Sequence, residues 1–415
     1  RYVVFWLIDT LRADKLGFYQ RKSANGRPKA RTPNLDALVK EGTVFQNFWV
    51  QGNESKASHA SLFTGTYPAV HRVYNHKAKL KDSHTTLAEA FTRAGYLSGG
   101  YVSNGYISDR WNFAQGFKPA VFSNFIRENK ANNARAVTKA AVRFIDKHKE
   151  QPFYLYLGTS DPHVTYRAHK DLIGKYDKGA YTGLYKRSLS GVELGKLKRR
   201  APSARDRVRI EALYENEIEF NDRYFGKLVA HLKTLGIYDQ TMFIISSDHG
   251  DEFWEHGSCG HGHNLHQELI SVPLVIRMPK LFPSGKNAQF GVDGVDLLPT
   301  VQEILGQPVA QDVQGASLLN HLWAQGEPYP IAQIASMGTS RYALQVGPAK
   351  VIMGSERSIL AYDVGSDSAE KKDIFRTKPI YARAALDPLS IFTSRAKRWK
   401  KRDWGAPNNL TKGFQ

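Results

Sequence analysis

Residues 2–9 read Tyr-Val-Val-Phe-Trp-Leu-Ile-Asp, an unbroken apolar run that ends in a carboxylate. Such a run is too short to cross a bilayer, which takes about 20 residues. It also lacks the polar alternation of a strand that has one face in water. It fits a strand of a parallel sheet that is buried on both faces. Asp9 then lies at the carboxyl end of this strand, where open α/β sheets bind their ligands.

The same pattern recurs along the chain. Further apolar runs lie at 44–50, 97–103, 153–158, 241–246 and 272–278, and helical patterns lie between them at 35–41, 85–94, 134–149 and 210–235. This alternation predicts an α/β fold with a doubly wound, mostly parallel central sheet flanked by helices.

The alternation of strand and helix patterns ends near residue 306. Short strand-like runs follow at 342–346, 350–353 and 358–362, and they predict a small α+β subdomain with an antiparallel sheet and a helix. We therefore divide the chain into a large domain over residues 1–305, a C-terminal subdomain over 306–390 and a basic tail over 391–415.

Positive charge is the unusual feature of the composition. The 415 residues include 58 Lys and Arg against 39 Asp and Glu, which gives a formal net charge of +19. This excess favours anionic surroundings, although solubility explains it equally well. The chain has no aromatic and basic motif typical of nucleic-acid-binding modules, so we expect no specific nucleic acid partner. Its one cysteine, Cys259, excludes an internal disulfide and a multi-cysteine metal site.

Side chains that bind metals follow two of the predicted strands. Asp248 and His249 come directly after the run at 241–246, as Asp9 comes after the first strand. Carboxylates and an imidazole at neighbouring strand ends are able to hold a divalent cation. Four histidines lie within the next stretch of eleven residues, namely His256, His261, His263 and His266. One such histidine would most often be structural, but the whole cluster indicates a functional site.

Two polar segments complete the candidate site. Residues 55–65 read Ser-Lys-Ala-Ser-His-Ala-Ser-Leu-Phe-Thr-Gly and lead into a helix predicted to start near Ser58. A helix N-terminus favours an anion, and a hydroxyl beside a divalent metal can act as a nucleophile. Asp161-Pro162-His163 follows the run at 153–158, and a histidine there could bind an oxyanion or protonate a leaving group. Each segment alone is a weak signal.

In this order the segments resemble the sulfatase branch of the alkaline phosphatase superfamily. The matching stretches include Leu-Ile-Asp-Thr-Leu-Arg-Ala-Asp at 7–14, Thr-Pro-Asn-Leu-Asp-Ala-Leu at 32–38, Ser-Asp-His-Gly at 247–250 and Val-Asp-Leu-Leu-Pro-Thr at 295–300. The segments at 55–68, 161–163, 214–221, 256–262, 315–318 and 362–373 continue the match. The resemblance covers residues 1 to about 375 and implies an alkaline phosphatase-like catalytic domain over 1–305.

The resemblance also implies a metal site and a nucleophile. Asp9, Asp248 and His249 would hold one divalent metal ion, and Ser55 would be both its fourth ligand and the nucleophile. Oxygen-rich ligation with one histidine suits Ca, Mg or Mn, and Zn remains an alternative.

Further roles follow from the same resemblance. His163 and His261 would contact the oxygens of the transferring group and the leaving group. Asn104, His256 and His263 would lie in the substrate-binding region.

The sequence departs from the family pattern at two places. Asp9 is followed by Thr10 where many sulfatases have a second Asp. His59 replaces the Arg that usually braces the nucleophile and belongs to the signal for conversion of residue 55 to formylglycine. A formylglycine hydrate can expel sulfate by collapsing to the aldehyde, whereas a phosphoserine can be hydrolysed by water. A formylglycine at position 55 would therefore indicate sulfate esters, and an unmodified Ser55 would indicate phosphate esters.

We therefore expect a metal-dependent hydrolase that cleaves a sulfate or phosphate ester through a metal-bound nucleophile at position 55. Its substrate would be an anionic glycan, lipid or small-molecule ester. One alternative is a phosphoester hydrolase or phosphoethanolamine-type transferase that uses unmodified Ser55. A second is a catalytically inactive binding protein on the same fold, although the complete set of site residues argues against it. We expect an extracytoplasmic location, with membrane proximity if a segment precedes Arg1.

Two basic stretches lie at 186–209 and 395–402. The first lies between His163 and the helix predicted from residue 210. We therefore expect it to border the site and to steer an anionic substrate.

Overall fold

The computed structural model describes residues 1–20, 29–129, 131–323, 331–354 and 358–401, with backbone alone for 396–401. The strands are β1 (Tyr2–Ile8), β2 (Thr43–Trp49), β3 (Leu97–Val102), β4 (Phe122–Asn124), β5 (Phe153–Thr159), β6 (Tyr166–Arg167), β7 (Ser188–Leu189), β8 (Thr241–Ser246), β9 (Glu252–Phe253), β10 (Cys259–Gly260), β11 (Leu274–Arg277), β12 (Lys286–Asp293), β13 (Ala332–Met337), β14 (Arg341–Val346), β15 (Ala349–Met353) and β16 (Ile359–Asp363). The helices are α1 (Pro33–Val39), α2 (Ser55–Thr64), α3 (Pro68–His71), α4 (Leu87–Arg93), α5 (Ala134–His148), α6 (Ile173–Tyr176), α7 (Gly191–Leu197), α8 (Ala204–Thr234), α9 (Gln267–Ile270), α10 (Leu297–Ile304), α11 (Leu318–Trp323) and α12 (Pro379–Lys401).

The main sheet has eight strands in the order β12-β2-β11-β8-β1-β5-β3-β4. β11 runs antiparallel to both of its neighbours, and the other adjacent strands are parallel. The predicted mostly parallel central sheet is therefore confirmed. β1 lies between β5 and β8, and all seven of its residues are buried.

Helices cover both faces of this sheet. Successive side chains of a strand point to opposite faces, so β1 contributes to two separate cores. Tyr2, Val4 and Trp6 pack in the core that includes α5 and α8. The residues between them pack in the core that includes α2, α4 and α10. This two-sided burial explains why the sequence of β1 is continuously apolar.

Two helices begin earlier than the sequence predicted. α8 begins at Ala204 instead of residue 210, because the Ser203 side chain accepts a hydrogen bond from the backbone N–H of Asp206 and caps the helix. The last residues of the basic stretch at 186–209 are therefore helical. α2 begins at Ser55 instead of Ser58, so the predicted nucleophile is the first residue of the helix.

The predicted C-terminal subdomain contains an antiparallel sheet in the order β13-β14-β15-β16. Helix α12 packs on this sheet, with Ala385 and Leu389 buried against Leu344 and Val351. The predicted boundary at residue 390 lies inside α12, and residues 402–415 of the predicted tail lie outside the described residues. Among the described helices, none combines the length and the apolar character needed to cross a membrane.

A buried ion pair ties the C-terminal sheet to the large domain. Lys350 Nζ on β15 lies 2.5 Å from Glu370 Oε1, and both side chains are fully buried. Lys350 also donates a hydrogen bond to the carbonyl oxygen of Leu265 at 2.9 Å. Glu370 Oε2 accepts a bond from the backbone N–H of Gln267 at 2.7 Å. The pair therefore connects the sheet to the segment that leads into α9.

We predict that Lys350→Met destabilises the protein by about 3–5 kcal/mol, because it leaves a buried carboxylate without its cation. The free energy of unfolding from denaturant titration measures this loss. Lys170→Met, at an exposed position, is the matched control and should change stability by less than about 0.5 kcal/mol. Equal effects of the two substitutions would contradict the structural role of the pair.

Candidate active site

Two adjacent strand ends and one helix start bring the four predicted metal ligands together. Asp9 follows β1, and Asp248 and His249 follow β8, which pairs with β1 in parallel. One ligand atom from each of these three residues lies within 4.8 Å of the others. Ser55 Oγ, at the start of α2, lies 3.3 Å from His249 Nε2.

The two carboxylates are poorly satisfied by the protein itself. Both residues are buried, and Asp9 Oδ1 and Asp248 Oδ2 have no hydrogen-bond partner in the described part of the chain. Burial, and then the charge of Asp248, raise the pKa of Asp9 well above its usual value. A divalent cation would remove both penalties, because it offers ligation to buried oxygens and neutralises their charge. Two carboxylates, an imidazole and a hydroxyl therefore fit one divalent ion.

Asn104 holds the predicted nucleophile. It lies just after β3, and its Nδ2 donates hydrogen bonds to Asp9 Oδ2 and to Ser55 Oγ, each at 2.8 Å. An amide nitrogen carries two hydrogens, so both bonds can form at once. The structure therefore places this residue, predicted to bind substrate, directly against Ser55.

His59 is buried below Ser55 and reaches it through the backbone. Its Nδ1–H donates to the carbonyl oxygen of Ser55 at 2.7 Å. Burial lowers the pKa of His59, so the ring is neutral and its Nε2 accepts a hydrogen bond from the hydroxyl of Tyr156 at 2.7 Å. The sequence analysis missed Tyr156, because a tyrosine inside the apolar strand β5 gives no signal of a polar role.

His163 and His261 face the same cavity as Ser55. Their ring centroids are 5.4 Å apart, and both residues line that cavity. His261 Nδ1 donates to Asp251 Oδ1 at 2.7 Å, and Asp251 Oδ2 accepts from Tyr166 at 2.6 Å. Burial acts to raise the pKa of Asp251, but the neighbouring His261 and these hydrogen bonds bring it below its usual value. The sequence analysis missed Asp251, although its position three residues after Asp248 was a usable signal.

Two of the predicted substrate-binding histidines lie elsewhere. His263 Nε2 donates to Glu252 Oε2 at 2.7 Å. His256 is hydrogen-bonded to Glu268 and stacks on His266 with ring centroids 3.5 Å apart. Neither His263 nor His256 lines the cavity that contains Ser55. Their contacts fix the chain between β9 and α9, and the structure does not bring them to the nucleophile.

The loop after β8 passes so close to other backbone that it requires glycine. A Cβ at Gly250 would lie 2.0 Å from the carbonyl oxygen of Glu268 and 2.8 Å from Cγ of Arg12. Arg12 cannot move aside freely, because its guanidinium lies 2.8 Å from Asp14 and 2.7 Å from Glu255. These contacts hold the loop in one position beside the candidate metal site.

The cavity beside Ser55 has a volume of about 680 Å³, and its lining combines cationic, acidic, polar and apolar side chains. One residue of the predicted basic stretch contacts a residue of the cavity lining, since Lys198 Nζ donates to the carbonyl oxygen of His261 at 3.1 Å. Two other members, Arg205 and Arg209, pair with Asp177 at 2.9 and 3.2 Å. No residue of the stretch lines the cavity itself, so its role in steering a substrate stays a prediction.

Comparison with known proteins agrees with this geometry. The sulfatase family model matches residues 1–307. The multifunctional alkaline phosphatase superfamily protein PehA of Trinickia caryophylli is 25% identical, and the match covers 79% of this chain and 77% of that protein. An ulvan-active sulfatase of Formosa agariphila is 22% identical over 85% of this chain. Arylsulfatase K of Xenopus laevis is 23% identical over 69% of this chain. The matches span 62% and 61% of the lengths of these two sulfatases.

Solved structures share the fold. A protein solved in complex with its substrate D-glucosamine-2-N,6-O-disulfate superposes with a TM-score of 0.78 at 19% identity, covering 97% of this chain and 98% of that one. The phosphonate monoester hydrolase of Agrobacterium radiobacter gives a TM-score of 0.73 at 18% identity, covering 95% and 96%. Since the family model spans most of the sequence and the strand-end residues come together as the resemblance implied, the chain belongs to the sulfatase family.

Proposed function

We propose that this protein hydrolyses a sulfate or phosphate ester, with residue 55 as the nucleophile and one divalent cation in the site. One observation carries the proposal. The Ser55 hydroxyl, held by Asn104, lies at the base of an open cavity beside two buried carboxylates that each have an oxygen without a hydrogen bond in the described chain.

Asp9, Asp248, His249 and Ser55 would hold the cation. The carboxylate oxygens favour Mg, Ca or Mn, and the imidazole also admits Zn. When bound, the ion would supply positive charge to the negative charge that builds on the transferring group. The roles of the surrounding residues follow from their contacts with one another.

Asn104 orients the nucleophile. Its Nδ2 occupies a lone pair of Ser55 Oγ and so restricts the rotation of the hydroxyl about the side-chain bond. A nucleophile fixed in this way loses less entropy on reaching the transition state. His59 supports the same residue from below through the Ser55 carbonyl.

His261 is the better-placed of the two candidate general acids. Asp251 accepts the hydrogen of Nδ1, which fixes the orientation and the tautomer of the ring. Nε2 is then the atom that can give a proton to the leaving-group oxygen. His163 shares the cavity, and burial lowers its pKa, so a neutral His163 would donate a hydrogen bond to an oxygen of the transferring group.

The chemical state of residue 55 decides between the two ester classes. His59 in place of arginine weakens the signal for formylglycine formation, and PehA and the phosphonate monoester hydrolase are relatives whose names include phosphate or phosphonate chemistry. The replacement by His59 favours an unmodified Ser55, and the two names favour phosphoester hydrolysis as a second candidate function. The ulvan-active sulfatase and the glucosamine disulfate complex favour a sulfated glycan. Such a substrate fits the proposed extracytoplasmic location.

We expect Ser55→Ala to lower turnover of the preferred ester by more than about 10³-fold, because it removes the nucleophile. Thermal unfolding should show that the fold survives. Ser61→Ala on the same helix, which lies outside the cavity lining, is the matched control and should retain activity. The mass of the intact peptide that contains residue 55 assigns the ester class, since formylglycine is lighter than serine by two hydrogens. Undiminished turnover by Ser55→Ala would exclude the nucleophile assignment.

We expect a divalent cation to raise the thermal midpoint by binding the folded state, and Asp9→Asn to weaken this effect at least about tenfold in apparent Kd. In the chelated protein, the raised pKa of Asp9 predicts how stability depends on pH. The folded protein binds the Asp9 proton more tightly than the unfolded chain does. The free energy of unfolding should therefore fall as pH rises through the folded pKa of Asp9. Added cation should remove that fall. A thermal midpoint insensitive to every divalent cation would contradict the site.

We expect His261→Ala and Asp251→Asn to slow hydrolysis by about 10²–10⁴-fold for esters with high-pKa leaving groups, and much less for good leaving groups. The slope of log kcat/KM against leaving-group pKa measures the difference. Tyr166→Phe, which removes one bond to Asp251, should have a smaller effect. Equal losses across all leaving groups would instead assign His261 to oxyanion binding.

A further inference from the structure

Two cations share one aromatic ring in the wall of the cavity beside Ser55. Lys56 Nζ lies 3.5 Å from the centroid of the Trp111 ring, and the guanidinium carbon of Arg110 lies 5.0 Å from it. All three residues line the cavity that contains Ser55. Lys56 directly follows Ser55 in helix α2, whereas Arg110 and Trp111 lie in the loop after β3.

These two cations have no acidic partner within the described part of the chain. Among the residues that the structure describes, no carboxylate forms an ion pair with Lys56 or Arg110. Lys56, only 3% exposed, instead donates hydrogen bonds to the carbonyl oxygens of His76, at 3.0 Å, and Ala78. Two cations on one ring, both in the cavity wall, would each attract an anion bound near that ring.

Apolar surface lies in the same cavity. Tyr106 and Ile126 are 46% and 47% exposed, and both line its wall. Large apolar side chains left exposed inside a cavity suit the face of a ring in a ligand. The cations and the apolar surface therefore favour a ligand that combines a ring with an anionic group.

We propose that Lys56, Arg110 and Trp111 form a second anion subsite, which binds an oxyanion group on the part of the substrate that does not react. The preferred substrate is then an ester whose ring-bearing leaving group carries a negative charge of its own. This inference rests on the proposed function only in taking Ser55 as the reacting end of the cavity.

Two matched aryl esters test the subsite in catalysis. One is a 4-nitrophenyl ester with a carboxylate on the ring, and the other has a carboxamide at the same position. Arg110→Gln should lower kcat/KM for the carboxylate ester by about tenfold more than for the carboxamide ester, mainly through KM. Arg110 is exposed, so the variant should fold. Arg93→Gln, exposed at the end of α4 and outside the cavity, is the control and should leave both esters unaffected.

Equilibrium binding separates the subsite from the chemistry. Calorimetric titration of Ser55→Ala should show benzene-1,3-disulfonate binding about tenfold tighter than benzenesulfonate, and Arg110→Gln in the same background should remove this preference. The carboxylate esters and the sulfonate ligands together show which oxyanion the subsite prefers. If Arg110→Gln affects both esters equally and the disulfonate has no advantage, the subsite is overturned while ester hydrolysis stands. If no ester is hydrolysed but an Arg110-dependent disulfonate preference persists, the subsite stands and the proposed function fails.

Discussion

The burial of two carboxylates at adjacent strand ends is the constraint on which the rest of the site depends. The parallel pairing of β1 with β8 places Asp9 beside Asp248, in surroundings that disfavour two bare anions. Each has an oxygen with no hydrogen-bond partner in the described residues. The amide of Asn104 partly offsets the burial of the Asp9 carboxylate, because it donates one hydrogen bond to Asp9 and another to Ser55. The nucleophile is therefore held by the same side chain that donates a hydrogen bond to one of the two carboxylates.

Three histidines in and near the site, His59, His261 and His263, are held in the same way. Each is fixed through one ring nitrogen by an acceptor: His59 by the Ser55 carbonyl, His261 by Asp251 and His263 by Glu252. Such a bond fixes both the orientation and the tautomer of the ring. The difference in function follows from where the second nitrogen lies. The second nitrogen of His59 bonds to a buried tyrosine, whereas His261 lines the open cavity and is available to a substrate.

Only some of the cations behind the net charge of +19 lie where they could act on a substrate. Two arginines of the basic stretch at 186–209, Arg205 and Arg209, form ion pairs with Asp177 inside the protein. Lys198 bonds to the backbone of His261, and Lys56 and Arg110 lie against Trp111 in the cavity wall. The field inside the cavity depends mainly on the cations that lie in or near its wall, not on the total charge. The total charge alone could not have located them.

The sequence by itself determined the fold class, the family and the four candidate metal ligands. Apolar strands buried on both faces must be continuous, and the ends of parallel strands must meet at one edge of the sheet, so the positions of Asp9 and Asp248 could be inferred from local pattern. The start of α8 was misplaced by six residues because a serine cap outweighs the hydrophobic pattern.

Only the tertiary structure decided which histidines face the cavity. His256 and His263 lie within ten residues of His261, but a turn at β9 and β10 directs them to Glu268 and Glu252. The partners Tyr156 and Asp251, and the two cations on Trp111, also depend on contacts between segments far apart in the chain. Such contacts leave no periodic trace in the sequence, because a polar side chain is recognised only by the partner that the fold brings to it.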